Sequence, residues 1–200
     1  MNGIKIEIEE GNTMDPIWIV LIVVGVLALV VLIWYIATMN NLRQLEVKVN
    51  EAESGIDVAL TKRFDVLSKM IETVKGYAKH EQETFIEVVK WRNQQPKQLS
   101  VKQKEEFMQK LDQVQSGINV VVENYPELKA EKVFTNLQHS ISDVEEHLQA
   151  SRRLYNSNVS RINSRIVTFP TSIVAGRIGM EKKTFFEAEM SKRADVDVSF

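Results

Sequence analysis

The stretch LRQLEVKVNEAESGIDVALTKRFDVLSKMIETV, residues 42–74, decides the fold. Its apolar positions step by three and four: Leu42, Leu45, Val49, Ala52, Ile56, then Leu60, Phe64, Leu67, Ile71 and Val74. That spacing predicts an amphipathic helix with one buried face. The seam shifts between Ile56 and Phe64, which resembles a stutter in a seven-residue repeat. Ala78, Phe85 and Val88 extend the pattern, so the helix is expected to run to about Asn93. Gly (8) and Pro (4) are scarce, as in long-helix proteins.

Downstream, NQQPKQLS (93–100) is polar, contains Pro96 and reads as a connection. Phe107, Leu111, Val114, Ile118, Val121 and Tyr125 mark a second helix over 102–124. VVENYPELKA (121–130) then interrupts it. Pro126 lacks the N–H that a continuing helix needs and clashes with the turn behind it, so a tight helix–helix corner is expected, with Tyr125 closing the seam. Phe134, Leu137, Ile141, Val144, Leu148, Tyr155, Val159, Ile162, Ile166 and Phe169 mark a third helix over 128–168, which Pro170 ends. Taken as one helix, 40–93 would be about 80 Å long, the second about 35 Å and the third about 60 Å. These do not pair neatly. A break near 65–70 would give four helices in an up-down-up-down bundle, with the last returning toward the start of the first. Continuous periodicity favours one long, bent first helix, and both readings stand. The fold class is all-α: an N-terminal transmembrane helix, an antiparallel bundle of three long helices or four, and a short C-terminal helix.

Upstream, IWIVLIVVGVLALVVLIWYI (17–36) is 20 residues without a charge. As a helix it spans about 30 Å, the thickness of the hydrocarbon layer. Trp18, Trp34 and Tyr35 occupy interfacial anchor positions. Asp15-Pro16 suits a helix start. A cleaved signal peptide would have a shorter apolar core behind a basic region and before a small-residue cleavage site; here the preceding residues are acidic (Glu7, Glu9, Glu10, Asp15 against Lys5) and no A-x-A follows. A retained anchor through residues 17–36 of a lipid bilayer is expected. Arg43 and Lys48 outnumber Lys5, which favours an outside N-terminus and a cytoplasmic bundle.

The balance of 25 basic and 27 acidic residues argues against a nucleic-acid partner. The absence of Cys excludes disulfides, a thiol nucleophile and thiolate metal sites. His139, Asp143 and His147 share one helix face at a spacing that suits a divalent metal, so a metal-binding enzyme or regulator is the alternative function. That face lies opposite the Leu137–Ile141–Val144–Leu148 seam, and no other helix supplies the remaining ligands. His80-Glu81 lacks the second His of a zinc-protease motif, and GRIG (176–179) lacks the Lys and hydroxyl residue of a phosphate loop. There is no G-x-S-x-G elbow. No catalytic, cofactor-binding or metal residue is therefore assigned, and no cofactor is expected. Residues 150–183 hold seven basic side chains (Arg152, Arg153, Arg161, Arg165, Arg177, Lys182, Lys183) against Glu181 alone. That segment reads either as a solvated, bundle-capping surface or as a contact with an anionic leaflet.

The motifs SGIDVALTKRFDVL, ETVKGYAKHEQETF, VENYPELKA followed by FTNLQHSI, ASRRLYNSNVSRINSRIVTFPTSIVAGRIGM and FFEAE occur in this order over residues 38–189. Together they resemble the LemA family of bacterial membrane proteins. The resemblance implies a single-pass anchor with a short outside N-terminus and a cytoplasmic helical bundle, in a family with no established enzymatic activity. Relatives are linked to magnetosome membrane organisation, and some are encoded near membrane zinc proteases. It thus implies a scaffold or interaction module whose partners are a second copy or a membrane protein such as a protease. The expected organisation is an N-terminal segment (1–15), the transmembrane helix (16–37), the LemA-like bundle (38–185) and a tail (186–200). Two departures stand out: Ser68 replaces a Pro usual in the family, and the N-terminal stretch, with its IKIEIE alternation, is longer than usual. Leu42 and Leu45, just beyond the bilayer, are the expected self-association seam.

Overall fold

The computed structural model describes residues 15–77, 96 and 99–186. Among the described residues there are five helices: α1 (Pro16–Val74), α2 (Val101–Asn124), α3 (Pro126–Ala130), α4 (Lys132–Val167) and α5 (Thr171–Arg177). No strand occurs among the described residues. The extension of the first helix to Asn93, the His80-Glu81 pair, the IKIEIE alternation and the tail beyond Phe186 lie outside them.

α1 is 59 residues long, about 90 Å at the usual rise. It starts at Pro16 with Asp15 as N-cap, as the sequence suggests, although the Asp15 side chain makes no cap hydrogen bond. It runs unbroken through 65–70, so the break considered there does not occur. The stretch DVLSKM holds neither Pro nor Gly, and Ser68 keeps the backbone donor that a Pro would remove. The helix ends instead at Val74, ahead of a turn at 75–77 that contains Gly76. The seam shifts in one row only: Ala52 and Ala59 give way to Leu60, Leu67 and Val74, all buried, while the other row carries straight through. Leu42, Val49, Ile56, Arg63 and Met70 recur every seven residues and are all buried. Arg63, not Phe64, continues the row. Phe64 is half-buried and stacks on Phe107 with ring centroids 6.3 Å apart.

Ser100 begins α2 with a capping box: its hydroxyl accepts from the Gln103 N–H, and the Gln103 amide oxygen accepts from the Ser100 N–H. α2 runs parallel to α1. Lys104 meets Glu53 and Asp57, Arg63 meets Asp112 and Gln115, and Tyr77 packs on Tyr125, so both helices rise together. α4 runs the other way: Glu145 meets Arg63, Ser151 faces Gly55, and Asn158 donates to the Lys48 carbonyl at 3.0 Å. The last long helix therefore returns toward the apolar segment, as the four-helix reading required, while α1 stays continuous through 65–70, as the one-helix reading required.

Pro126 sits at the first position of α3, so the corner forms where expected. Tyr125 does not close the core seam; it is 37% exposed and packs against Tyr77, while Val121, Val122 and Leu128 fill the interior. The single helix expected over 128–168 is divided at Glu131, whose extended backbone (φ −73°, ψ 121°) lets Leu128 and Phe134 both enter the core. Along α4 the row Phe134, Ile141, Leu148, Tyr155, Ile162 is buried at seven-residue intervals. Phe169 would be next, but α4 ends at Val167 and Phe169 is exposed. The Phe169–Pro170 peptide is cis.

The register can be tested by cross-linking. A Cβ built on Gly55 falls 3.9 Å from the Ser151 Cβ, near the ~3.8 Å mean of disulfides. In the cysteine-free chain, Gly55→Cys with Ser151→Cys should oxidise to one intramolecular bridge. In the chain-entropy account a loop of this size adds about 4–5 kcal/mol. Failure to form the bridge, with Gly55→Cys/His147→Cys forming it instead, would mean the α1–α4 register is shifted by a turn.

Candidate functional site

His139, Asp143 and His147 stand on the outer face of α4, all exposed, as their place opposite the seam implies. No third-party ligand joins them: among the described residues no group of three or more His, Asp or Glu is arranged to hold a metal ion. The GRIG motif has a backbone explanation. Gly179 is left-handed (φ 68°), the Met180 N–H reaches the Ala175 carbonyl and the Gly179 N–H that of Gly176. This Schellman closure ends α5, and a glycine is the residue that adopts it without strain.

Two charged clusters are buried in the bundle. Lys104 is 1% exposed; its ammonium lies 2.8 Å from Glu53 and 2.6 Å from Asp57. Arg63 is 3% exposed; its guanidinium pairs with Asp112 of α2 and Glu145 of α4 and donates to Gln115 at 3.0 Å. Removing such a cation from water costs several kcal/mol, and paired carboxylates offset that cost only at good geometry. Each cation here meets two carboxylates and ties α1 to α2; Arg63 also ties both to α4. Neither carries a hydropathy signal in the sequence, although Arg63 falls on the seven-residue row and Lys104 lies three before Phe107.

The most elaborate construction lies where α1 leaves its apolar segment. Leu42, Val174 and Ala175 form a small buried cluster, with Tyr35, Met39, Ile166, Ile178 and Met180 packed around it. α5 thus seals the lower seam of α1. Leu42 is buried and Leu45 half-buried, so the free self-association seam expected there is already occupied by this chain itself. Beyond α5 an extended segment, 181–186, runs back along α4. The Asn163 side chain donates to the Lys183 carbonyl and accepts from its N–H, both at 2.8 Å. The Asn156 side chain does the same to Phe186, both at 2.9 Å. A carboxamide supplies both a donor and an acceptor, so each Asn pairs with the strap as a neighbouring strand would. The Tyr155 hydroxyl donates to the Thr184 carbonyl at 3.0 Å, and its ring meets Phe186 edge-on, centroids 5.1 Å apart. The strap brings Lys183 to Glu46 at 3.1 Å, and Arg43 meets the same carboxylate at 3.0 Å. Those bonds to Lys183 and Arg43 hold the Glu46 carboxyl below its usual range. Arg153, Arg161, Arg165, Arg177 and Lys182 are exposed around this end.

Two outcomes follow from these contacts. Lys104→Met strands Asp57 in the interior and should destabilise the chain by about 3–5 kcal/mol, whereas Lys104→Met with Asp57→Leu should recover most of that, as read by urea unfolding. Equal losses in both variants would show that the pairing is not what the buried Asp57 requires. The second concerns pH. Burial, then the nearby Glu53 and Glu105, push the Tyr155 phenol up to about 12. Its folded value exceeds its unfolded one, so this contribution is full below about pH 10 and is lost as pH rises through about 12. Thermal unfolding should show an alkaline loss over that window. Tyr155→Phe should shrink it, at about 1 kcal/mol lost at neutral pH with the Thr184 bond.

A profile described as the LemA family matches residues 52–200. Protein LemA of Metamycoplasma hominis is 30% identical over 166 residues, covering 82% of this chain and 76% of that protein.

Proposed function

The chain belongs to the LemA family, and from that premise we propose that it is a membrane-anchored interaction module, a stiff helical bundle carried on one transmembrane span. The observation that supports this reading is the continuity of α1. Its first part is long and apolar enough to cross a membrane, and its side chains there are exposed on every face. Such a surface has no place in water and suits hydrocarbon. The same helix, without a hinge, then becomes the central helix of the bundle. A soluble domain on a flexible linker would sample all orientations; this one holds a fixed attitude to the bilayer. That geometry suits presenting a defined face to a membrane protein or a second copy. With Arg43 and Lys48 following the span, the bundle is read as cytoplasmic and the N-terminus as outside.

Topology is tested with one engineered thiol. Ser100→Cys, at the start of α2, should react with a membrane-impermeant maleimide only after cells are opened. Labelling of intact cells would place the bundle outside, and recovery of the chain in the alkaline-carbonate supernatant would remove the anchor altogether. The interaction reading is tested by photocross-linking from exposed bundle positions such as Val58 and Val120 in intact membranes. A recurring adduct, with itself or with one membrane protein, is expected. Cross-links to lipid and nothing else would sink it.

A further inference from the structure

We propose that the corner joining α4 to α5, residues 167–173, is a second membrane contact, in which Val167, Phe169 and Ile173 enter the headgroup zone of an anionic leaflet beside the span. The proposal rests on the reading of the apolar segment as a span and deepens it.

The register places the corner at the right depth. Lys48 pairs with Asn158 and Gly55 faces Ser151, so each step down α4 corresponds to a step down α1. Carried to the end of α4, that register sets Val167 level with residues 39–41 and Phe169 with 37–39, just past Ile36. α5 confirms the level by packing on Tyr35, Met39 and Leu42. Tyr35 to Leu42 is about 10 Å along a helix, and the polar zone of a leaflet is roughly 5–7 Å deep. The corner therefore lies within or against the headgroups.

Its surface is apolar where a soluble bundle's end would be polar. Phe169 is 77% exposed, more than any other large apolar residue among those described; Ile173 is 56% and Val167 54% exposed. Phe169 extends the buried row of α4 in spacing but not in space. Around these three residues the charges are cationic: Arg161, Arg165, Arg177 and Lys182 are all exposed, against Glu181. Apolar side chains ringed by Arg and Lys match an anionic lipid surface, where each cation adds attraction to the headgroups. The backbone suits the setting as well. Thr168 N–H reaches Ser164, Ser172 N–H reaches Thr168, Ile173 N–H reaches Pro170, and the Thr171 hydroxyl bonds to the Arg165 and Thr168 carbonyls. Polar groups satisfied within the chain are what a water-poor environment demands.

The full chain, reconstituted in vesicles of phosphatidylglycerol and phosphatidylcholine, tests this. Single thiols at Ile173→Cys, Val133→Cys and Leu27→Cys carry an environment-sensitive fluorophore, and quenchers are placed on the lipid chains near the headgroup and, separately, at mid-bilayer depth, or dissolved in the water. Lipid quenching at position 173, absent at position 133, is expected. Replacing the anionic lipid by phosphatidylcholine should reduce it, as should Arg165→Gln with Arg177→Gln. Quenching at 27 but not at 173 would overturn the corner contact and leave the anchor intact. Loss of quenching at 27 would overturn the anchor itself. A label at 173 shielded from the aqueous quencher yet untouched by lipid quenchers would mean that protein, not lipid, covers the corner. Quenching at 173 indifferent to lipid charge and to both Arg substitutions would overturn the anionic part. Phe169→Asp, an exposed change that leaves the core alone, should lower quenching at 173 without altering helix content.

Discussion

Among the described residues, the long helices are arranged along one unbroken helix. α1 carries an all-round apolar surface over its first third and then a seam repeating every seven residues, from Leu42 to Met70. With no hinge between the two parts, the seam's direction is set by the apolar segment. The partner helix must follow it, and α4 does so with a matching repeat from Phe134 to Ile162. Because the two run antiparallel, the length of α4 decides where the chain ends relative to the apolar segment. Thirty-six residues bring Val167 back level with the exit of the apolar segment, and Pro170 stops the helix close to it.

A seven-residue repeat holds helices together but does not say which heptad faces which. Sliding α2 by one repeat against α1 would leave apolar residues facing apolar residues. The buried charges break that degeneracy. Lys104 meets Glu53 and Asp57, and Arg63 meets Asp112 and Glu145, in one register only; a slip would bury each cation without its carboxylates at a cost of several kcal/mol. Asn158, buried and bonded to the Lys48 carbonyl, serves the same end between α1 and α4. Apolar burial supplies the attraction, and the few buried polar groups select the alignment.

The elements that local chemistry controls were legible in the sequence. Helix periodicity located α2 to within one residue, Pro126 and Pro170 fixed two corners, and the uncharged run at 17–36 announced itself by length. Other features depend on tertiary partners. An Arg on a seam looks like a surface residue until Asp112 and Glu145 arrive from other helices, so hydropathy alone favours Phe64 over Arg63. Leu42 and Leu45 looked free because nothing local shows that α5 folds back over them. The break at Glu131 has no Pro or Gly to mark it; it follows from the need to bury Leu128 and Phe134 together. Two further features do have a local signal: the S-x-x-Q of the Ser100 capping box, and the pair Asn156 and Asn163 spaced seven apart on one face of α4. The candidate metal face was legible in the ordinary sense that its residues share a face, but a face is not a site until another element closes on it.

The two ends of the bundle differ in a way that bears on what the fold is for. At the far end, among the described residues, Pro126 opens α3, Leu128 plugs the core, and Tyr77 packs on Tyr125. At the near end the chain adds a short helix, a Schellman closure and a strap clamped by two carboxamides and a phenol. This arrangement does more than reverse the chain. It encloses Leu42 against Val174 and Ala175, fixes Lys183 to Glu46, and holds the α4–α5 corner rigidly beside the exit of the apolar segment. These contacts fix the near end of the bundle against the exit of the apolar segment, as the buried charges fix the register along its length.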